Sequence, residues 1–375
     1  EGFDLKVGAL GRYQTNFANP DTGVRRLIPD YDKYDFGLFA IGSYELNKDW
    51  TLDAGARYDF SRIDSKKFYR VSRWEERGYD VDFADIIIED LGTQLLVNPV
   101  FDYHNFSGTA GFHYELNDKD HLRFNYAYSQ RAPNPSELFS DGLHHSAARI
   151  ELGDLRIKSE TSSKLSVSLE RNTSKWGYTF APFLNSMRDF ILVEPTGVEF
   201  TIRGAFPVWS YRQTDAILLG VDASLYNNWS SKVRTDHKFA WVKGTDTETD
   251  TPLINIPAAN FTNSITYTIP KWNNFLVSLE SQYVFEQTRF PDNIVVFSPE
   301  QQENVILDIN TPPDAYHLLS LNTEASFTLK NKNDLTVGLT ASNLLNTNYR
   351  DYLNRQRYFV DDMGRNISLR LIFNY

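Results

Sequence analysis

The sequence predicts an all-β protein, an antiparallel transmembrane β-barrel with about fourteen strands in this chain, and three observations predict it. Apolar and polar residues alternate with period two over long stretches. Short and long connections alternate strictly along the chain. Tryptophans recur just after the short turns.

The alternation is clearest from Trp50 to Phe60, where Trp50, Leu52, Ala54, Ala56, Tyr58 and Phe60 point one way and Thr51, Asp53, Arg57 and Asp59 the other. It returns in Phe106 to Leu116, His121 to Ser129, Ser163 to Leu169, Ile217 to Leu225, Phe275 to Phe285, Leu335 to Ala341 and Ile367 to Tyr375. Helical spacing is sustained nowhere. Strict alternation over such lengths is the pattern of a strand with one apolar and one polar face.

The short connections are Asn47 to Asp49, Asn117 to Asp120, Asn172 to Lys175, Asn227-Asn228, Thr268 to Lys271 and Lys330 to Asn333, all with the Asn, Asp and Lys chemistry of hairpin turns. Between them lie long polar connections at 17–33, 64–100, 130–160, 194–210, 243–257, 289–314 and 346–363. Tight turns at one end of a sheet and long loops at the other mean two different environments, as in outer-membrane barrels. Trp50, Trp176, Trp229 and Trp272 follow short turns and would form an aromatic girdle at one interface.

A soluble barrel of this strand number would have a lumen too wide for one layer of side chains to fill. Asp53, Arg57, Asp59, His113, Glu115, Arg123, Lys164, Glu170, Glu280, Glu286 and Arg370 fall on the polar faces, which suits a wet or plugged lumen and not lipid. A mean hydropathy on the polar side does not oppose this, because only alternate strand residues meet lipid. The longest apolar runs fall far short of the ~20 residues of a membrane helix.

Composition bounds the remaining possibilities. With 26 Phe and 21 Tyr the chain is too rich in burial capacity for disorder. Zero cysteines exclude a disulfide scaffold and any cysteine-based zinc or redox motif. A net charge of -11 argues against nucleic acid as a partner. There is no Gly-x-Ser-x-Gly, phosphate-binding Gly-rich loop or His-Glu-x-x-His, so the expectation is no enzyme.

Four ordered elements carry a family resemblance. Arg131-Ala-Pro-Asn-Pro-Ser-Glu-Leu-Phe139 is followed by Gly153-Asp154-Leu-Arg-Ile-Lys158 with Glu160-Thr161, then by Pro252-Leu-Ile-Asn-Ile-Pro257. The run from Leu339 to Tyr349, with Asp351-Tyr352-Leu353, Arg357-Tyr358 and Gly364-Arg365-Asn366, leads into a terminal strand alternating Ile367, Leu369, Leu371, Phe373 and Tyr375. Together they resemble TonB-dependent outer-membrane receptors, and Phe373 and Tyr375 resemble the signal read by the barrel-assembly machinery.

The resemblance implies a ~22-stranded barrel with an N-terminal plug. No plug-like stretch or signal peptide is visible, so residues 1–375 are expected to be one incomplete domain, the C-terminal portion of such a barrel lacking the plug and first strands. A self-closed fourteen-stranded barrel is the alternative. The implied function is TonB-dependent active import of a scarce nutrient, a metal ion or metal complex such as zinc, haem or a ferric siderophore. A passive porin-like, structural or adhesive barrel is the rival. Implied partners are outer-membrane lipid and lipopolysaccharide, the TonB complex through the plug region, the assembly machinery and a surface lipoprotein. The implied place is the outer membrane of a Gram-negative bacterium. No cofactor is expected for folding; a transported metal or chelate is the expected ligand.

The ligand-binding candidates are Arg131, Glu137, Asp141, His144, His145, Glu151 and Asp154. Paired His144 and His145 with Asp141 offer nitrogen and oxygen ligands for a first-row metal. The stretch Glu137-Leu-Phe-Ser-Asp-Gly-Leu-His144 is similar to one in zinc-uptake receptors, and haem receptors keep a His between the same two boxes. The plainer alternative is that these are hydrogen-bonding loop residues. Loop 64–100, basic at Lys66, Lys67, Arg70, Arg73 and Arg77 and acidic from Asp80 to Asp90, is expected to be a solvated surface or a cation collector. His104, His113, His121, His237 and His317 are isolated in the sequence and receive no role.

Overall fold

The computed structural model describes residues 2–17, 26–329 and 334–374. Fourteen long strands form one antiparallel meander: β1 (Phe3–Asn16), β2 (Asp30–Glu45), β3 (Trp50–Arg70), β4 (Val100–Asn117), β5 (Asp120–Arg131), β6 (Glu160–Asn172), β7 (Trp176–Thr201), β8 (Gly204–Asn228), β9 (Val233–Asp246), β10 (Asn260–Ile269), β11 (Phe275–Val284), β12 (Tyr316–Thr328), β13 (Asp334–Ser342) and β14 (Asn366–Asn374). Each pairs with its sequence neighbours, from β1 against β2 through to β13 against β14. The fourteen expected strands are these. Among the described residues no pairing joins β1 to β14. No described helix is long and apolar enough to cross a membrane. The Lys330 to Asn333 turn, Tyr375 and residues 18–25 of the first loop lie outside the described residues.

The register separates two faces. Trp50 opposes Tyr114, Leu52 opposes Phe112 and Tyr58 opposes Phe106 on one face. That face stays exposed along the sheet, with Val7 at 70%, Leu369 at 66% and Leu38 at 48%. An apolar surface of this extent needs lipid against it. The opposite face carries charge: Arg57 Nε donates to Asp59 at 2.6 Å, Ser61 Oγ to Asp35 at 2.7 Å, and Arg370 lies 2.6 Å from Glu324.

Two of the girdle tryptophans sit differently from expectation. β8 runs through Asn227 and Asn228, so Trp229 lies in the turn, held by its backbone N–H to Val233 and by Nε1–H to Thr235. Trp272 lies in the turn after Ile269, where Asn273 and Asn274 adopt positive φ of 55° and 54°. Trp50 and Trp176 open their strands as expected.

Connection 194–210 differs more. It is almost all strand, because β7 and β8 continue as one hairpin with only Ile202 and Arg203 unpaired at its tip. The Pro195-Thr-Gly197 stretch has turn chemistry, yet a β-bulge between Pro195 and Gly197 absorbs it within the ladder.

The cores lie among the loops. Ile63, Tyr69, Trp74, Tyr79, Leu95, Val97, Leu138, Phe139, Leu155 and Ile157 form one buried cluster that joins connections 64–100 and 130–160. A second brings Met187, Leu192 and Ala216 to Leu253. In a third, Trp209 packs with Ile254 and Ile309.

Candidate ligand-binding site

The long-connection end is a folded assembly. After β5, Arg131-Ala-Pro133 leads into a short helix, Pro135–Phe139, opened by a capping box in which Asn134 and Glu137 satisfy each other's backbone N–H groups. Arg131 lies 2.9 Å from Glu137 and 3.2 Å from Glu160. The Asp154 N–H donates to the Glu137 carbonyl at 2.9 Å and the Gly153 N–H to that of Ser140 at 2.7 Å. Gly153 passes so close that a Cβ there would meet the Leu138 backbone carbon at 2.6 Å. The two sequence boxes are therefore one structural unit.

Asp141 is buried and faces three cations: Lys67 at 3.8 Å, Arg73 at 3.8 Å and Arg77 at 3.7 Å. Lys67 also donates to the Phe139 carbonyl at 2.6 Å, and Arg77 to that of Gly153 at 3.1 Å. The basic run of loop 64–100 thus packs inward at these positions, in place of the expected solvated surface. Tyr79 donates to Asp154 at 3.0 Å, and burial pushes its phenol up to about 12. Arg156 ties Asp82 and the Arg77 carbonyl to the same unit.

His144 ends the short strand Asp141–His144, which pairs with Arg149–Leu152. Its Nδ1 lies 2.9 Å from Glu151, which also accepts from Arg149 at 2.6 Å. Burial pushes the Glu151 carboxyl up, but His144 and Arg149 outweigh it and hold it below its ordinary range. The Arg149 guanidinium stacks over Trp209 at 4.5 Å, and Arg149–Leu152 continues as a parallel pair with Val208 to Ser210 on β8. His145 opens a 3₁₀ turn and is exposed. A cavity of about 610 Å³ opens beside this unit, lined by Arg26, Lys66, Lys67 and Arg70 together with Asp30 and Asp141.

The structure thus joins Arg131, Glu137 and Asp154 in one network and His144 with Glu151 in another, while Asp141 faces Lys67, Arg73 and Arg77. Among the described residues, the one set of three or more His, Asp or Glu side chains with ligand atoms within 4.8 Å of one another is His113, Glu115 and His121. His113 and His121 look isolated in the sequence, although the short Asn117 to Asp120 turn places Glu115 opposite His121 in register.

A family model described as "TonB dependent receptor-like, beta-barrel" matches residues 2–344. The chain belongs to the TonB-dependent receptor β-barrel family. Solved structures of similar fold include the copper transporter OprC, with TM-score 0.73 and 17% identity over 100% of this chain and 55% of that one. The FrpB iron transporter from Neisseria meningitidis gives TM-score 0.61 and 15% identity, covering 100% of this chain and 52% of its own. A double mutant of the hemophore receptor HasR from Serratia marcescens, in complex with its hemophore HasA and heme, gives 0.65 and 14%, covering 97% and 55%. The chain spans about half the length of these receptors. A comparison with curated protein sequences gives no match.

Within this TonB-dependent receptor barrel, the remaining sequence boxes also serve the loop assembly. Leu253 and Ile254 of the Pro252 to Pro257 element are buried. Arg357 is buried between Tyr352 and Tyr358, over their rings at 4.6 and 4.5 Å, and donates to the Tyr352 carbonyl. Burial lowers its guanidinium pKa.

Proposed function

We propose that residues 1–375 form the C-terminal portion of an outer-membrane receptor that imports a metal ion or metal complex, with energy supplied through TonB. The observation that carries this reading is that the fourteen-stranded sheet belongs to the receptor barrel family and folds its long connections into a cored unit at one end. The metal character of the substrate is supported by neighbours whose names are those of copper and iron transporters. His144 adds support from the chain itself. A carboxylate on one ring nitrogen orients an imidazole for ligation through the other, and Glu151 stands in that place. The basic lining of the neighbouring cavity suits the anionic groups of a metal chelate.

Binding is tested by calorimetry on the detergent-solubilised receptor with zinc chloride, hemin and ferric chelates. His144→Ala and His145→Ala are expected to weaken one of them more than about tenfold. Transport is tested by uptake in cells with and without TonB. TonB-independent uptake with steady conductance in planar bilayers would overturn the import reading in favour of a passive barrel.

A further inference from the structure

The register of β4 and β5 concentrates metal-ligating side chains far from the loop assembly. His113 and Glu115 are two residues apart on β4 and therefore share a face. Glu115 pairs with His121, the second residue of β5, across the tight turn. Tyr114 between them points to the other face, where it stacks on Trp50 at 4.3 Å. The three side chains thus lie on the lumen wall, at the height of the tryptophans that mark the short-turn interface.

The geometry is that of a ligand set. Nδ1 of His121 is 2.6 Å from one Glu115 oxygen and Nε2 of His113 is 3.5 Å from the other. The two rings meet edge to face at 5.6 Å. Ligands ~2.1 Å from a tetrahedral ion lie ~3.4 Å apart, so small side-chain adjustments suffice to seat one. Both nitrogens are buried, and neither makes a hydrogen bond. Two imidazoles therefore converge on one carboxylate with nitrogens that no protein hydrogen bond takes up, which leaves them available to a further partner.

The charge around the set does not oppose a cation. Arg123, opposite His113 in register, lies 3.9 Å from Glu170, so a carboxylate offsets it. Asp53 is on the same face, two residues beyond Thr51, the register partner of His113.

We propose that His113, Glu115 and His121 bind a divalent transition-metal ion on the lumen wall at the short-turn end of the barrel. Two nitrogens and one carboxylate oxygen suit zinc or copper(II) and leave a coordination position open. Magnesium and calcium, which take all-oxygen shells, do not match the donor set. An open position lets an ion exchange, so the site is a station on the wall and not a closed structural centre. The proposal is independent of which ligand the outer loops take.

The test uses the whole receptor in detergent, carrying His144→Ala and His145→Ala so that the loop histidines do not contribute. Zinc chloride titrated by calorimetry is expected to bind at one ion per chain. Copper(II) chloride is expected to give an electron paramagnetic resonance spectrum with two imidazole nitrogens. Adding His113→Ala or His121→Ala should weaken zinc binding more than about tenfold and remove one nitrogen from the copper spectrum, while Thr51→Ala leaves both unchanged. Absence of zinc binding in the loop-histidine variant overturns the proposal, as does equal affinity with and without His113 and His121. If the added substitutions prevent folding, the copper spectrum of the parent decides alone, and a spectrum without nitrogen ligands overturns it. The readouts are binding at this set, so they stand or fall separately from TonB-dependent uptake.

Discussion

Arg131 lies 2.9 Å from Glu137 and 3.2 Å from Glu160, so one guanidinium at the end of β5 fastens the loop helix to the start of β6. Glu137 and Glu160 are largely shielded from water, with side-chain exposures of 12% and 14%, while Arg131 is 40% exposed. Solvent screening of the guanidinium reduces the attraction, but the carboxylates left behind by its removal would be shielded and like-charged. Arg131→Ala is therefore expected to cost about 1–3 kcal/mol, felt in the loop unit and not in the strands. Hydrogen exchange should show faster exchange across 132–159 with β4 and β5 unchanged; uniform loss of protection would contradict this local assignment.

Gly153 offers a steric test of the same unit. A methyl group there would meet the Leu138 backbone at 2.6 Å and the Glu137 carbonyl oxygen at 2.7 Å, and backbone cannot step aside cheaply. Gly153→Ala should destabilise the loop unit by about 1–3 kcal/mol. Gly197, with nothing within 4 Å of its added Cβ, is the control. Limited proteolysis should cut the Gly153→Ala variant in 132–159 and leave Gly197→Ala at the parent rate.

Acid should loosen the His144–Glu151–Arg149 cluster. The Glu151 pKa in the fold is below its ordinary 4.5. Its contribution to stability is therefore complete above 4.5 and is lost as pH falls through the lowered value. Arg149 stacks on Trp209, so the fluorescence difference between the parent and Trp209→Phe should show an acid transition that lies below the ordinary 4.5 of a free Glu. Glu151→Gln should abolish that transition. A transition of the same size in the Gln variant would assign it to another group.

The two faces of β14 make opposite predictions. Leu369 is 66% exposed on the apolar face, and Arg370 on the other face pairs with Glu324. Leu369→Arg should cost about 2–4 kcal/mol in a bilayer, whereas Ser368→Arg should be tolerated. Heat-modifiable mobility of the folded barrel on gels measures both. Equal tolerance of the two substitutions would mean that the lipid face is assigned wrongly.

The strands and tight turns were legible because both are written locally. Period-two alternation needs only the strand's own residues, and turns announce themselves through Asn, Asp and Lys. What was not legible depends on distant contacts. Trp74 and Tyr79 look like residues of a charged loop until Leu138 and Phe139 arrive from another connection to bury them. Lys67, Arg73 and Arg77 resemble a solvated basic run until Asp141 is placed among them. Pro195 and Gly197 spell a turn, and only pairing with β8 turns that signal into a bulge. His113 and His121 looked isolated because eight positions separate them in sequence, yet the turn between them fixes the register that joins them.

The long hairpin has a practical consequence. β7 and β8 contain 26 and 25 residues, whereas a tilted strand crosses the hydrocarbon with about ten. More than half of each strand therefore stands clear of the bilayer, with Ile202 wholly exposed at the summit. Every pair below the summit is set by the ladder from Thr201 and Gly204 downward, so residues inserted between Ile202 and Arg203 change no register. That makes the summit a mounting point: an epitope or fluorophore placed there would mark the long-connection end without touching the wall of the barrel.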